Sequence, residues 1–368
     1  MRKLSPLLYS VRRRRRPASR LWRPVRCGKQ PVSGQYMSCL RQPVSNPPPK
    51  GWPSLVRVDR LLTLHLFRTL MKLRRVDGGL RIPILMYHSI SDDPEPGVHP
   101  YYKICTSPSR FREHMQFLKD NRYQVIPLSA ALDLMSRARK PATRNLELAT
   151  CNLEPVTCNL QPATRNLQIA SNRYTVITFD DGYHDFYTNA WPVLSEFEYP
   201  ATVFLTTAFI DDIGRSFKGR PCLTWNQIRE LHERGVSFGS HTVNHLQLHD
   251  LKWSKIGLEI EDSKKAIEDK IGEPVKEFSY PYAYPEADRA FCKKLSHILK
   301  EKGYDFCVTT RIGRVLPGDD PLSLKRLPVN SSDDLGLLSA KLAGAYDWLA
   351  HVQRISKSIK FTLQSLLT

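Results

Sequence analysis

The sequence lacks the usual signatures of several common protein classes. Its eight cysteines (27, 39, 105, 151, 158, 222, 292 and 307) include no C-x-x-C pair. This argues against a zinc ribbon or a redox-active pair and suggests incidental thiols rather than a disulfide framework. Neither a G-x-G-x-x-G run nor a G-K-[ST] loop occurs, so nothing points to a nucleotide cofactor. Long apolar runs are missing too. "LLTLHLF" at 61–67 is far too short to span a bilayer, and the N-terminus lacks the basic–apolar–small order of a secretory signal. Acidic residues are scarce at one end only: residues 1–80 hold 19 Lys or Arg against Asp59 and Asp77, whereas residues 81–368 hold 36 basic and 34 acidic side chains. The net charge of +19 therefore belongs to an appendage and the body is close to neutral, so the charge gives little support to a nucleic-acid role.

What is present divides into three parts. Residues 1–75 form an Arg- and Pro-rich leader containing the run Arg12–Arg16, with disorder expected over most of 1–58. Residues 80–335 carry strand-like apolar runs, Ile82–Met86 the first of them, alternating with helical patterns of 10 to 15 residues such as "FYTNAWPVLSEF", which reads as βα units around a mostly parallel sheet. Residues 336–368 read as a helical tail. Within the body the chain runs RNLELAT, CNLEPVT, CNLQPAT, RNLQ from Arg144, a seven-residue period. One Leu per unit, with Pro155 and Pro162, rules out a coiled-coil heptad, so 140–171 is expected to be a surface insertion.

Chemistry-bearing residues fall at the ends of the strand-like runs. "TFDDG" places Asp180 and Asp181 side by side at the end of an apolar strand, where Gly182 permits a sharp turn. "SHTVNH" supplies His241 and His245, four apart and on one face if the segment takes a helical turn. Two imidazoles and one carboxylate suit a divalent ion, zinc first, with cobalt, nickel or manganese as alternatives. Asp181 is then a ligand and Asp180 a general base. His88, at the end of the first strand, is the acid candidate from another element, or else a satisfied rim histidine. His249 is a bystander.

This combination resembles the polysaccharide deacetylase family, the NodB-homology domain of the family 4 carbohydrate esterases, over roughly residues 82–330. "TFDDG" is similar to its first motif (base, then ligand) and "HTVNH" to its metal-histidine motif. "FSYPYAYP" resembles its groove motif, which implies the backbone N–H of Tyr282 as an oxyanion donor. Two departures stand out: Ser279 where many members have an arginine that orients the base, and Ala283 where glycine is usual. "LMYHSI" together with Ser279 is more similar to the poly-N-acetylglucosamine deacetylase subgroup. There, the resemblance implies, His88 is the general acid and Arg326 of "KRLPV" replaces the missing arginine. No convincing Leu-x-His motif follows, and His351 is poorly placed.

The resemblance implies an α/β fold, a distorted, incomplete (β/α) barrel with the site at the C-terminal ends of its strands. The implied reaction is metal-dependent hydrolysis of N-acetyl groups on an N-acetylglucosamine glycan; from charge and apolar-run length, no nucleic-acid partner and no transmembrane segment are expected. Tyr87 and Tyr282 could stack on sugar rings. Alternatives are a catalytically weakened sugar-binding protein on the same fold, and a metal-dependent hydrolase of another amide or ester. A substrate in or outside the envelope sits awkwardly with the missing signal peptide, which leaves a cytoplasmic location open. The oligomeric state is not legible.

Overall fold

A computed structural model describes residues 57–73, 79–139 and 173–367. Most of the basic leader and the seven-residue repeats lie outside the described residues. Twelve strands are present among them: β1 (Ile84–Tyr87), β2 (Ser89–Ile90), β3 (Cys105–Thr106), β4 (Tyr123–Val125), β5 (Arg173–Phe179), β6 (Thr202–Leu205), β7 (Ser216–Phe217), β8 (Arg220–Pro221), β9 (Ser237–Ser240), β10 (Glu277–Ser279), β11 (Phe306–Ile312) and β12 (Leu324–Pro328). The principal sheet runs β1-β12-β11-β10-β9-β6-β5-β4, and β5 also pairs with β1 along Ile84↔Val176 to Tyr87↔Phe179. That second pairing closes seven parallel strands into a barrel, one fewer than a complete eight-stranded one, with β4 attached outside the ring. The expected α/β barrel is thus the observed fold.

The strand sequences explain the closure. All four residues of β1 are buried, as are six of the seven in β5. Such unbroken apolar runs suit parallel strands covered on both faces. Gly239 in β9 is required by packing: a Cβ there would stand 2.6 Å from the Phe204 ring and 2.8 Å from the Glu277 carbonyl oxygen.

The helices around the barrel are α1 (Val58–Leu61), α2 (Arg68–Leu73), α3 (Pro108–Asp120), α4 (Leu128–Arg139), α5 (Trp191–Glu196), α6 (Trp225–Glu233), α7 (Trp253–Ile271), α8 (Arg289–Glu301), α9 (Leu335–Ala343) and α10 (Trp348–Leu367). Ser107 caps α3 by accepting from the Arg110 N–H, and Phe111, Met115 and Leu118 are buried along its inner face. Thr224 and Gln227 form a reciprocal capping box on α6. Among the described residues no helix is long and apolar enough to cross a membrane.

Three local expectations need correction. The first strand begins at Ile84, because Ile82 makes an isolated antiparallel bridge to Val315 instead. The helix expected over "FYTNAWPVLSEF" opens as a π-helix, Phe186–Ala190, before α5. Pro192 has no N–H to give, which interrupts the regular ladder at that point. The leader, finally, does not extend to residue 75. Residues 58–73 are helical, with a π-helical centre at Leu62–Phe67. Partners far along the chain hold this segment. Tyr346 donates to Asp59 at 2.7 Å, Trp348 Nε1 donates to Thr63 at 3.0 Å, and Phe67 stacks on Trp348 at 4.8 Å. Local charge and proline content carry no trace of such contacts.

Candidate active site and metal centre

The C-terminal ends of the barrel strands bring the two aspartates and the two histidines together. Asp180 follows the last residue of β5, and the chain then turns through two left-handed residues, Asp181 (φ 73°) and Gly182 (φ 68°). A Cβ at Gly182 would meet Leu205 Cδ2 at 2.9 Å, so the turn is tight as well as left-handed. It swings the two carboxylates onto different partners.

Asp180 faces Arg326 of β12. The guanidinium is fully buried and grips both carboxylate oxygens, Nη1 to Oδ1 and Nη2 to Oδ2, each at 2.7 Å. Arg326 also donates to the Thr309 carbonyl (3.1 Å), Thr178 Oγ1 (3.3 Å) and Ser279 Oγ (3.0 Å). Ser279 Oγ in turn donates to Asp180 Oδ1 at 3.2 Å. Burial pushes the Asp180 carboxyl up, but the Arg326 guanidinium, helped by His241, overcomes it and holds the pKa at about 2. His88 Nε2 lies 4.0 Å from Asp180 Oδ2, with the imidazole one-fifth exposed. Burial lowers the His88 pKa, opposed by the charges of Asp180 and Asp181.

Asp181 faces the two histidines. Its Oδ1 is 3.5 Å from His241 Nε2 and 3.2 Å from His245 Nε2. Burial works against its charge, but the imidazoles, His245 foremost, hold its carboxyl well below the usual range. The histidine pair does not converge through a helical turn, as the four-residue spacing suggested. The loop after β9 instead folds back through left-handed Thr242 (φ 69°) and His245 (φ 52°). Glu259 of α7 fixes that loop: its carboxylate accepts from the Val243 N–H (3.1 Å), the Asn244 N–H (2.8 Å) and Asn244 Nδ2 (2.7 Å). Thr242 Oγ1 accepts from the His245 N–H at 3.0 Å. His241 Nδ1 lies 2.7 Å from the Ser279 carbonyl oxygen; donating there leaves the Nε2 lone pair facing Asp181. The His245 ring is held by packing, 4.5 Å from Tyr282 and 5.1 Å from Phe217.

These residues fit a divalent ion. One carboxylate oxygen and two imidazole nitrogens lie within 4.8 Å of one another in a buried cluster. Asp181 Oδ1, also buried, has no hydrogen-bond donor. A buried carboxylate oxygen 3.2 to 3.5 Å from two imidazole nitrogens, one of them left with its lone pair toward it, calls for a cation.

Tyr282 is left-handed (φ 57°) and 40% exposed beside the triad, with its carbonyl accepting from Thr310 Oγ1 at 2.9 Å. Tyr87 cannot stack on a sugar. It is fully buried, its hydroxyl 3.0 Å from His114 Nδ1 and its ring 5.5 Å from Phe179, because strand alternation sends it into the core while His88 reaches the barrel mouth. His249 pairs with Asp288 at 3.3 Å, away from the triad. His351 is exposed on α10.

Two nearby residues escaped the sequence reading, Glu259 and Lys218. The latter sits at the tip of the β7–β8 hairpin, its Nζ 5.2 Å from the Tyr282 ring centre. A Lys-Gly pair between short strands signals a turn, but nothing in it indicates which side chain the turn approaches.

The polysaccharide deacetylase family profile matches residues 168–306. The chain is 28% identical over 272 residues to the polysaccharide deacetylase homologue YxkH of Bacillus subtilis (strain 168), covering 74% of this chain and 78% of that protein. It is 28% identical over 169 residues to the poly-beta-1,6-N-acetyl-D-glucosamine N-deacetylase of Escherichia coli (strain K12), covering 44% of this chain but 20% of the relative. Two solved structures share the fold. The Streptococcus pyogenes deacetylase PplD in complex with acetate aligns with a TM-score of 0.51 at 24% identity, over 72% of this chain and 99% of that one. IcaB from Ammonifex degensii aligns with 0.51 at 20%, over 72% and 97%. With the barrel, the TFDDG turn and the histidine loop all in place, the chain carries a polysaccharide deacetylase domain, matched over residues 168–306.

Proposed function

We propose that this deacetylase removes N-acetyl groups from an N-acetylglucosamine-containing glycan and depends on a divalent metal, zinc first, held by Asp181, His241 and His245. One observation carries the reading: a buried carboxylate oxygen with no donor faces two imidazoles, directly beside a second carboxylate kept ionised by an arginine. When bound, such an ion would polarise the amide carbonyl and acidify an attacking water. The chain's own residues supply the rest. Asp180, anionic in the grip of Arg326, takes a proton from the attacking water. The N–H of Tyr282 donates to the oxyanion that develops as the hydroxide adds to the carbonyl carbon. His88 gives a proton to the departing nitrogen as the C–N bond breaks, then recovers one from Asp180, across the 4.0 Å between them. Acetate and a free amine leave. A glycan with N-acetylglucosamine is favoured by the relatives' names, and the Arg326 clamp answers the departure at Ser279 that would otherwise favour a weakened binding protein.

The test is acetate release from N-acetylglucosamine oligomers by protein stripped of metal and then reloaded with zinc, beside Asp180→Asn. Zinc-dependent acetate that falls by at least about 10²-fold in the variant is expected. A folded, zinc-loaded protein that releases none would sink the proposal.

A further inference from the structure

The rim of the barrel is used unevenly. The triad and Tyr282 stand over the ends of β5, β9 and β10, and Asp180 with Arg326 lies toward the centre. The opposite arc, over β1, β11 and β12, opens into a cavity of about 570 Å³. Met86 of β1 with His88 just after it, Ile312 of β11 and Pro328 of β12 form its barrel side, and Tyr102 stands at the edge, 65% exposed. Its outer wall is α10, through Leu349, Val352 and Ser356. That helix lies beyond residues 168–306 and so is no part of the matched family region.

The wall is fastened to the rim. Gln353 Nε2 donates to the Thr310 carbonyl at 2.9 Å, and its Oε1 accepts from the Ile312 N–H at 3.1 Å, so its amide takes up two backbone groups of β11. Lys357 pairs with Glu286 at 3.4 Å. Thr310 in turn donates from its hydroxyl to the Tyr282 carbonyl and accepts from the Tyr284 N–H at 3.0 Å, so the wall and the oxyanion loop share a fixed point.

We infer that this cavity is a glycan subsite that takes the sugar unit next to the one being deacetylated, with the C-terminal helix α10 as its wall. The inference rests on the glycan reading above. Three observations point to it. The cavity begins at His88, whose Nε2 is 4.0 Å from Asp180, so a polymer held at the triad and crossing the rim enters it directly. Its lining is mostly apolar, suited to the C–H faces of a pyranose, with an exposed tyrosine ring at the edge. Ser356 offers a hydroxyl to the ring substituents, whereas Gln353 and Lys357 are committed to holding the wall.

The test compares kcat/KM for acetate release from N-acetylglucosamine oligomers of increasing length, using the zinc-loaded full chain, Val352→Trp and Tyr102→Ala. Val352 is 47% exposed, so the larger ring can fill the cavity without entering the core, and Tyr102 lies outside the core altogether. The full chain should gain about tenfold once an oligomer is long enough to fill the subsite, and both variants should lose that gain, flattening the dependence on length. The same rise with length in the variants would overturn the subsite and leave the deacetylase reading intact. A wild-type protein that hydrolyses a small acetate ester but no glycan would overturn the substrate reading, and the subsite with it.

Discussion

Arg326 is the most consequential single side chain outside the proposed ligand set. Its two 2.7 Å contacts keep Asp180 charged although the carboxyl is buried. The sign follows from the lowered pKa: Asp180 contributes stability that is fully present above the usual carboxylate value of about 4. That contribution fades as pH falls toward about 2, its value in the folded protein. In Arg326→Met burial would be opposed only by His241 and His88 and would push the carboxyl up. The acid limb of the pH–kcat/KM profile should therefore move to higher pH, with at least about 10²-fold lost at neutrality. An unmoved limb would dissociate Arg326 from the proposed base, Asp180. The sequence made Asp180, Asp181, His241 and His245 readable because short motifs hold them together. Their geometry was not readable, since Asp181, Thr242, His245 and Tyr282 all adopt left-handed backbone that non-glycine residues rarely take and no local propensity announces. Arg326 could be suspected only through a resemblance, because 146 positions separate it from the carboxylate it grips.

Among the elements, α7 illustrates how a helix can serve a site without reaching it. Glu259 is buried and accepts three hydrogen bonds from the histidine loop, and Lys255 one turn earlier lies 3.1 Å from its other face. Glu259→Ala should leave the ligands in the sequence but loosen their loop. Zinc affinity should then fall by about 10- to 100-fold in calorimetric titration, with the circular-dichroism spectrum retained. Unchanged affinity would show that the β9 anchor alone positions the histidines. The apolar runs and helical periodicities made each barrel strand and most helices visible in advance. The exceptions share a cause: Ile82 bridging to Val315, the π-turn before Pro192 and the helix over 58–73 are all settled by partners or interruptions that periodicity does not encode.

Across the whole molecule, a buried ionic cluster joins the first described helix to the last turns of the barrel. Asp333 receives Lys341 at 2.9 Å and Arg57 at 3.3 Å, and Arg57 also pairs with Asp59. Asp333, Lys341 and Arg57 are all under 10% exposed. Removing the central anion strands the buried Lys341 and leaves Arg57 with Asp59 alone, so Asp333→Asn should cost about 3–5 kcal/mol in urea unfolding. A loss below about 1 kcal/mol would mean that water or Asp59 compensates. The closed barrel also bears on the seven-residue repeats. Their flanking elements are α4, ending at Arg139, and β5, beginning at Arg173. The repeats therefore join the chain at the N-terminal end of β5, whereas Asp180 follows its C-terminal end, roughly 20 Å away along seven residues of strand. One unit corresponds to a whole number of codons, so replication slippage that adds or drops a copy preserves the reading frame. Because the junction sits at the foot of the barrel, a lineage can let the copy number drift while selection on the carboxylates at the mouth continues undisturbed.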